Sequence, residues 1–205
     1  SEVGQGSEIV LDGGVYGSAG AGPQRSRTET WGSVGGAPYT LLETTYGESD
    51  CLYHALLDAN QAFLNLPDAD LVQLEKLYTR AATDPGLTTC WVREKEETEL
   101  RSFALFRLAL VAAYQGVPEI SGDLIASIGE IYTDSVYAEA GQVWVDAYAQ
   151  TNSIPQACAA VNAYAAANPS VYEALADYGY ANPSIGPNDI CPVFDVESAM
   201  EAAIA

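Results

Sequence analysis

The segment "SDCLYHALLDANQAF" at residues 49–63 groups the residue types most capable of chemistry in this chain. It holds the single histidine, His54, with Cys51 three residues before it and Asp58 four residues after it. Residues three and four apart share one face of an α-helix. The spacing is typical of a histidine base oriented by a carboxylate, or of a cysteine nucleophile beside a histidine. The other interpretation is a helix held by a disulfide through Cys51. We favour it, because three further cysteines can pair with Cys51.

The spacing of Cys51 and His54 also resembles one turn of the catalytic helix of secreted phospholipases A2. That family has an aspartate directly after the histidine, where this chain has Ala55, and its paired cysteines around the helix are missing here. The resemblance implies His54 as a catalytic base. We keep His54 and Asp58 as an alternative catalytic pair within a secreted hydrolase.

The four cysteines predict two disulfides. They are even in number, widely spaced and without a C-x-x-C pair, which argues against a zinc ribbon or a thioredoxin site. The simplest connectivity joins sequence neighbours, Cys51 with Cys90 and Cys158 with Cys191, each bond adding about 4 kcal/mol on the chain-entropy model. The alternative is four free thiols in a cytosolic protein. Disulfides favour a secreted, periplasmic or other oxidising compartment, and we expect that a signal peptide preceded Ser1 and was removed.

The remaining catalytic and cofactor motifs are missing from the sequence. One histidine is too few for a histidine-based zinc site, and there is no G-x-S-x-G elbow, calcium loop or phosphate loop. We expect no cofactor and no metal. A carboxylate pair among the 28 acidic residues is the remaining route to a hydrolase. A binding protein for a small apolar or pigment ligand is a further alternative.

The charge balance restricts the partners. Eight basic residues stand against 28 acidic ones, a formal net charge of −20, and no lysine or arginine follows Arg107. Such a surface repels nucleic acid, so we expect no nucleic-acid partner. The longest apolar stretch, 103–114, is interrupted by Arg107, so we also expect no membrane span.

Composition divides the chain at about residue 48. Residues 1–48 hold more than half of the 18 glycines, with short β-prone pieces at 8–11, 28–31 and 39–45. We interpret 1–48 as a Gly-rich extended arm with short strands, and 49–205 as a disulfide-linked α-helical domain.

Helical periodicity and capping residues recur from residue 49 onward. Asp70, Ser121, Ser153 and Asp195 each stand where a helix is expected to begin. The fold class predicted is mainly α: a multi-helix bundle or irregular array of about seven helices, preceded by the Gly-rich arm.

Aromatic residues in the arm and in a late loop indicate contact with other proteins, because tyrosine and tryptophan are favoured at interfaces. The interface candidates are Trp31, Tyr39, Tyr178 and Tyr180. We therefore expect an exported, non-catalytic structural or interaction subunit of a homo- or hetero-oligomeric assembly, whose arm contacts a neighbouring subunit.

Overall fold

The computed structural model describes residues 7–14, 20–66, 69–91 and 93–194. These residues are mostly helical, with seven α-helices and one three-stranded sheet. They fall into two compact units. One contains the described residues up to 49 together with 179–182, and the other contains 50–178 and 183–194. The helix start expected at Asp195 lies outside the described residues.

The first unit is built on an antiparallel sheet in the order β1-β2-β3. Its strands are β1 (Ser7–Gly14), β2 (Ser26–Ser33) and β3 (Thr40–Tyr46). Trp31 pairs with Ile9 on one side and with Leu41 on the other, and the register shifts between Thr30 and Trp31, leaving Leu42 as an extra residue of β3. All three β-prone pieces of the sequence therefore become strands.

A distant segment, 179–182, completes this unit. The Tyr180 amide donates to the Gly20 carbonyl at 3.1 Å, and the Ala181 amide donates to the Ala21 carbonyl at 3.3 Å. Gly179 has φ +84°, and a Cβ on it would lie 2.4 Å from the Ala21 carbonyl carbon. Only glycine fits this conformation and this close approach between backbones.

The second unit is an array of helices joined by short loops. Its helices are α1 (Leu52–Leu64), α2 (Leu71–Thr83), α3 (Glu96–Tyr114), α4 (Pro118–Ile131), α5 (Val136–Thr151), α6 (Ile154–Ala167) and α7 (Ser170–Ala176). A 3-10 turn at Pro187–Asp189 follows them. This mostly helical architecture confirms the predicted fold class.

Helix starts follow the sequence at most positions, with one correction. The Asp70 carboxylate accepts from the Val72 and Gln73 amides, and the Ser153 hydroxyl accepts from the Gln156 amide. Ser121 does not begin a helix, because α4 already begins at Pro118, whose fixed φ suits the first helical position. Ser121 is instead buried inside α4 and donates to the Ala109 carbonyl at 2.7 Å.

Helix α3 is the central helix of this unit. Its side chains are buried around the whole circumference, which is typical of a helix enclosed by others rather than one lying on a surface. Two of these buried side chains are arginines, Arg101 and Arg107, at 7% and 3% exposure. A buried guanidinium must find hydrogen-bond partners inside the protein, and the two arginines differ in this respect.

Candidate functional site

The Cys51–His54–Asp58 group does not form a reactive site. Cys51 is bonded to Cys90, so it is not a thiol nucleophile. His54 is only 5% exposed, and Asp58 is half-buried. Helix α1 contains His54 and Asp58 one turn apart, but Cys51 lies just before it in an extended conformation, so the three residues do not share one helical face as the spacing predicted. The buried ring offers no access for a substrate.

Both expected cysteine pairs are at disulfide distance. The Cα atoms of Cys51 and Cys90 are 5.4 Å apart, and those of Cys158 and Cys191 are 4.9 Å apart. The first bond ties the start of α1 to the loop before α3, where the Leu52 amide also donates to the Thr88 carbonyl at 2.9 Å. The second ties α6 to the segment after the 3-10 turn, where Asn162 bonds the Cys191 backbone in both directions.

Tyr178 is not a surface aromatic, so the prediction that it contacts a partner is wrong. It is fully buried, and its ring stacks on Tyr53 with centroids 3.7 Å apart and planes within 4°. The Arg93 guanidinium lies 5.2 Å from the Tyr178 ring centroid. The glycine next to Tyr178 suggested an exposed loop, but the aromatic ring packs into the helical unit, because burying its large apolar area is favourable.

Two glutamates near this stack, Glu96 and Glu99, are candidates for the carboxylate pair of a hydrolase, because burial raises the pKa of both. Glu96 is 1% exposed and accepts from the Trp91 amide with both carboxylate oxygens, at 3.2 and 3.3 Å. Burial raises its pKa, and hydrogen bonds from the Trp91 and Cys90 amides oppose that rise. Burial also raises the pKa of Glu99, whose carboxylate lies 4.0 Å from Arg93. Glu96 therefore holds the loop that carries Cys90, which is a structural role.

The sheet presents one face rich in large apolar side chains. Residues directly opposite each other in an antiparallel pair point to the same face. The register therefore groups five residues, which we call the apolar face: Ile9, Leu11, Trp31, Leu41 and Tyr46. Ile9, Leu11, Leu41 and Tyr46 are 41–52% exposed, and Trp31 is partly buried.

Charged side chains accompany this apolar face. The Trp31 indole donates to Glu29 at 3.0 Å, and Glu29 also pairs with Arg27 at 2.7 Å. The Arg25 guanidinium lies 4.4 Å from the centroid of the Tyr46 ring. These contacts fix the orientation of the Trp31 ring and cover part of the Tyr46 ring.

The opposite side of the sheet, the threonine face, is mainly polar. Its directly paired residues include Val10 with Thr30 and Asp12 with Thr28, whose side chains are hydrogen-bonded at 2.5 Å. Leu42 also lies on this side, over Gly32. The two faces differ in chemistry as the two sides of an amphipathic sheet do, although both are largely exposed.

The other interface candidates remain at the surface of the sheet unit. Tyr39 is 42% exposed, and its hydroxyl is 2.9 Å from the Ser7 hydroxyl. Tyr180 is 68% exposed and lies in the segment that is hydrogen-bonded to Gly20 and Ala21. The sequence alone gave no indication that Tyr180 would belong to the same unit as Trp31 and Tyr39.

No group of three metal-ligating side chains occurs within the ranges that the structure describes. Over those same ranges, none of the helices combines the length and the apolar character needed to span a membrane. Comparison of the chain with protein-family models, curated proteins and solved structures found no match.

Proposed function

We propose that this protein is an exported, non-catalytic structural or interaction subunit of a larger extracytoplasmic assembly. Its sheet unit contacts a neighbouring subunit through the apolar face. The observation that carries this proposal is the exposure of large apolar side chains on one face of a three-stranded sheet. Export is supported by the two disulfides, which fit an oxidising compartment.

An exposed apolar face is costly for a small sheet. Three strands need a buried hydrophobic face to gain stability, and contiguous apolar patches on soluble proteins usually mark contact sites. Leu11 is 52% exposed and Tyr46 is 48% exposed, so about half of the surface of each side chain remains available for burial by a partner. Each such side chain would contribute on the order of 1 kcal/mol when covered.

The composition of the face suits a protein partner better than a small ligand. Trp31 and Tyr46 are aromatic residues of the type that anchor interfaces, and Arg25 and Arg27 put positive charge beside them in a chain of net charge −20. A second copy of the acidic chain would offer these arginines further carboxylates, beside the Glu29 carboxylate that already pairs with Arg27. Self-association through the sheet unit is therefore the form of assembly that we test first.

The hydrolase alternative has less support. His54 is buried, and Glu96 is engaged by backbone amides. The hydrolase alternative would be restored if the protein hydrolysed an ester or glycoside substrate and if Glu96→Gln or His54→Gln abolished that activity. The variant must keep the helical circular dichroism of the wild type.

The test is the mass of the native particle by sedimentation or native mass spectrometry. The wild type should exceed the 21.7 kDa of one chain. Leu11→Thr/Leu41→Thr, on the apolar face, should reduce the particle to a folded monomer. The control Val10→Thr/Leu42→Thr removes exposed aliphatic side chains from the threonine face and should leave the assembly intact.

A chain lacking residues 1–48 gives a second comparison, because it should be a folded monomer if the arm drives assembly. A wild type that is a monomer at high concentration would refute self-association. Equal dissociation of both double variants would refute the assignment of the contact to the apolar face.

A further inference from the structure

Arg107 carries a positive charge into the interior of the helical unit. It is the last basic residue of the chain, lies in the middle of α3 and is 3% exposed. Its guanidinium lies 4.5 Å from the centroid of the Phe63 ring and 5.0 Å from that of Phe103. These two rings attract the cation, but they accept none of its N–H groups along the guanidinium plane.

Two of the three guanidinium nitrogens of Arg107 have no hydrogen-bond partner among the described residues. Its Nη2 donates to the Asp189 carbonyl. Its Nε and Nη1 are buried and have no hydrogen-bond partner within the part of the chain that the structure describes, and no carboxylate there forms an ion pair with it. Burial lowers the pKa of the guanidinium, although nearby Tyr78 and Asp189 oppose this effect.

Arg101, on the same helix, shows how this protein satisfies a buried arginine. Its Nε donates to Glu97, its Nη1 to the Ala81 and Ala82 carbonyls, and its Nη2 to the Asp84 and Leu87 carbonyls. All three nitrogens are therefore used. The lack of partners for Nε and Nη1 of Arg107 among the described residues is therefore specific to its surroundings and is not shared by the other buried arginine of α3.

A second unpartnered donor lies on the same face of α3. Tyr114 follows Arg107 by seven residues, which is two helical turns, so the two side chains leave the helix in nearly the same direction. The Tyr114 hydroxyl is buried, without a hydrogen-bond partner among the residues described, and it interacts electrostatically with Arg107. Its ring packs edge-on against Phe63 and Phe194, with centroids 6.3 and 6.2 Å apart.

A buried guanidinium without a direct carboxylate partner is costly, because the nearby charge of Asp189 offsets only part of its desolvation. Among the residues that the structure describes, these buried donors and the positive charge have no matching acceptor, which is the chemistry of an anion site. A buried water could accept the N–H groups, but it would add no negative charge.

We propose that the Nε–Nη1 edge of Arg107 and the Tyr114 hydroxyl bind one small monovalent anion of the halide class within the helical core. The anion accepts from the guanidinium and from the phenol, and it neutralises the buried charge. Its position among Phe63, Phe103 and Phe194 excludes large hydrated anions.

The test is the melting temperature of the disulfide-intact protein as a function of chloride or bromide concentration. Ionic strength is held constant with gluconate, an anion too large for the interior. A site that binds only the folded state shifts the folding equilibrium about 11-fold at ten times its Kd. For a chain of this size that shift is a rise of about 3–6 °C at that concentration, and above the Kd the melting temperature keeps rising with the logarithm of halide concentration.

Arg107→Met and Tyr114→Phe should remove or weaken the halide dependence, and Arg101→Met should keep it at a lower melting temperature. Because Tyr114→Phe deletes only a hydroxyl, it keeps the test valid if the arginine variant fails to fold. Crystals soaked in bromide should show an anomalous peak beside Arg107. The proposal would be overturned if the melting temperature of the wild type did not depend on halide concentration, or if both variants kept the full halide dependence. It would also be overturned if the crystals showed only water beside Arg107.

Discussion

Arg101 should be among the most important polar side chains for the stability of the helical unit. It is 7% exposed and donates to four backbone carbonyls around the end of α2 and the loop that follows. The last carbonyls of a helix have no partners within the helix, and a basic side chain is a suitable substitute. Arg101→Met keeps a long apolar side chain and removes all of these bonds.

The magnitude follows from the geometry. The ion pair with Glu97, whose side chain is 63% exposed, contributes about 0.5 kcal/mol or less. The four bonds to carbonyls are 3.1–3.4 Å long and come from only two nitrogens, so we count them as about two good charged bonds. At about 1.5–3 kcal/mol each, the substitution should reduce the free energy of unfolding by roughly 3–6 kcal/mol.

The assay is urea unfolding followed by far-UV circular dichroism, with the disulfides intact. Arg101→Lys should lose part of this stability, since an ammonium cannot reach all of these carbonyls at once. Arg107→Met is the matched control, because replacing a poorly compensated buried charge with an apolar side chain is neutral or stabilising in halide-free buffer. A loss below about 1 kcal/mol for Arg101→Met, or an equal loss for both variants, would refute the argument from hydrogen-bond satisfaction.

Three further perturbations have defined outcomes. Gly179→Ala should release 179–182 from 20–23, and the amides there should then exchange hydrogen faster. The control Gly116→Ala, at φ +82° with nothing within 4 Å of the added Cβ, should lower the free energy of unfolding by only about 1 kcal/mol in thermal unfolding. Equal, small effects of the two substitutions would contradict the close approach at Gly179. Because burial raises the folded-state pKa of Glu96, its contribution to stability should decrease as pH rises above the unfolded-state value of about 4.3. Glu96→Gln should reduce this decrease in the urea-derived free energy of unfolding, and an unchanged slope would contradict the argument. The hydrogen bond to Glu139 raises the pKa of Tyr164 to about 12, so Glu139→Gln should return that pKa toward 10 in a tyrosine-resolved NMR titration, and a pKa that stayed near 12 would assign the shift to burial alone.

The parts of the fold that the sequence predicted are those set by local rules. Asp70 and Ser153 cap helices because a short acceptor side chain reaches the first free amides, and this can be read from neighbouring residues. The β-prone pieces of the arm became strands for a similarly local reason. The cysteine pairs were proposed from their number and spacing, and the structure has the same connectivity.

What the sequence missed depends on residues far apart in the chain. Tyr178 was assigned to the surface because glycine and proline surround it, but its ring is held by Tyr53 and Arg93, more than 80 residues earlier. The apolar face of the sheet requires the strand register, since a shift of one residue exchanges the two faces. The free nitrogens of Arg107 were equally invisible, because the partners of a buried arginine come from other helices.

The bonds between 179–182 and 20–23 also affect the order in which the chain can fold during synthesis. Ribosomes make proteins from the N-terminus, and domains usually fold as units as they emerge. Here the first unit cannot be completed until the residues of Gly179–Asn182 exist, by which point α1 to α7 have already been made. Residues 20–23, which precede β2, must therefore wait for these backbone partners until the helices have been made.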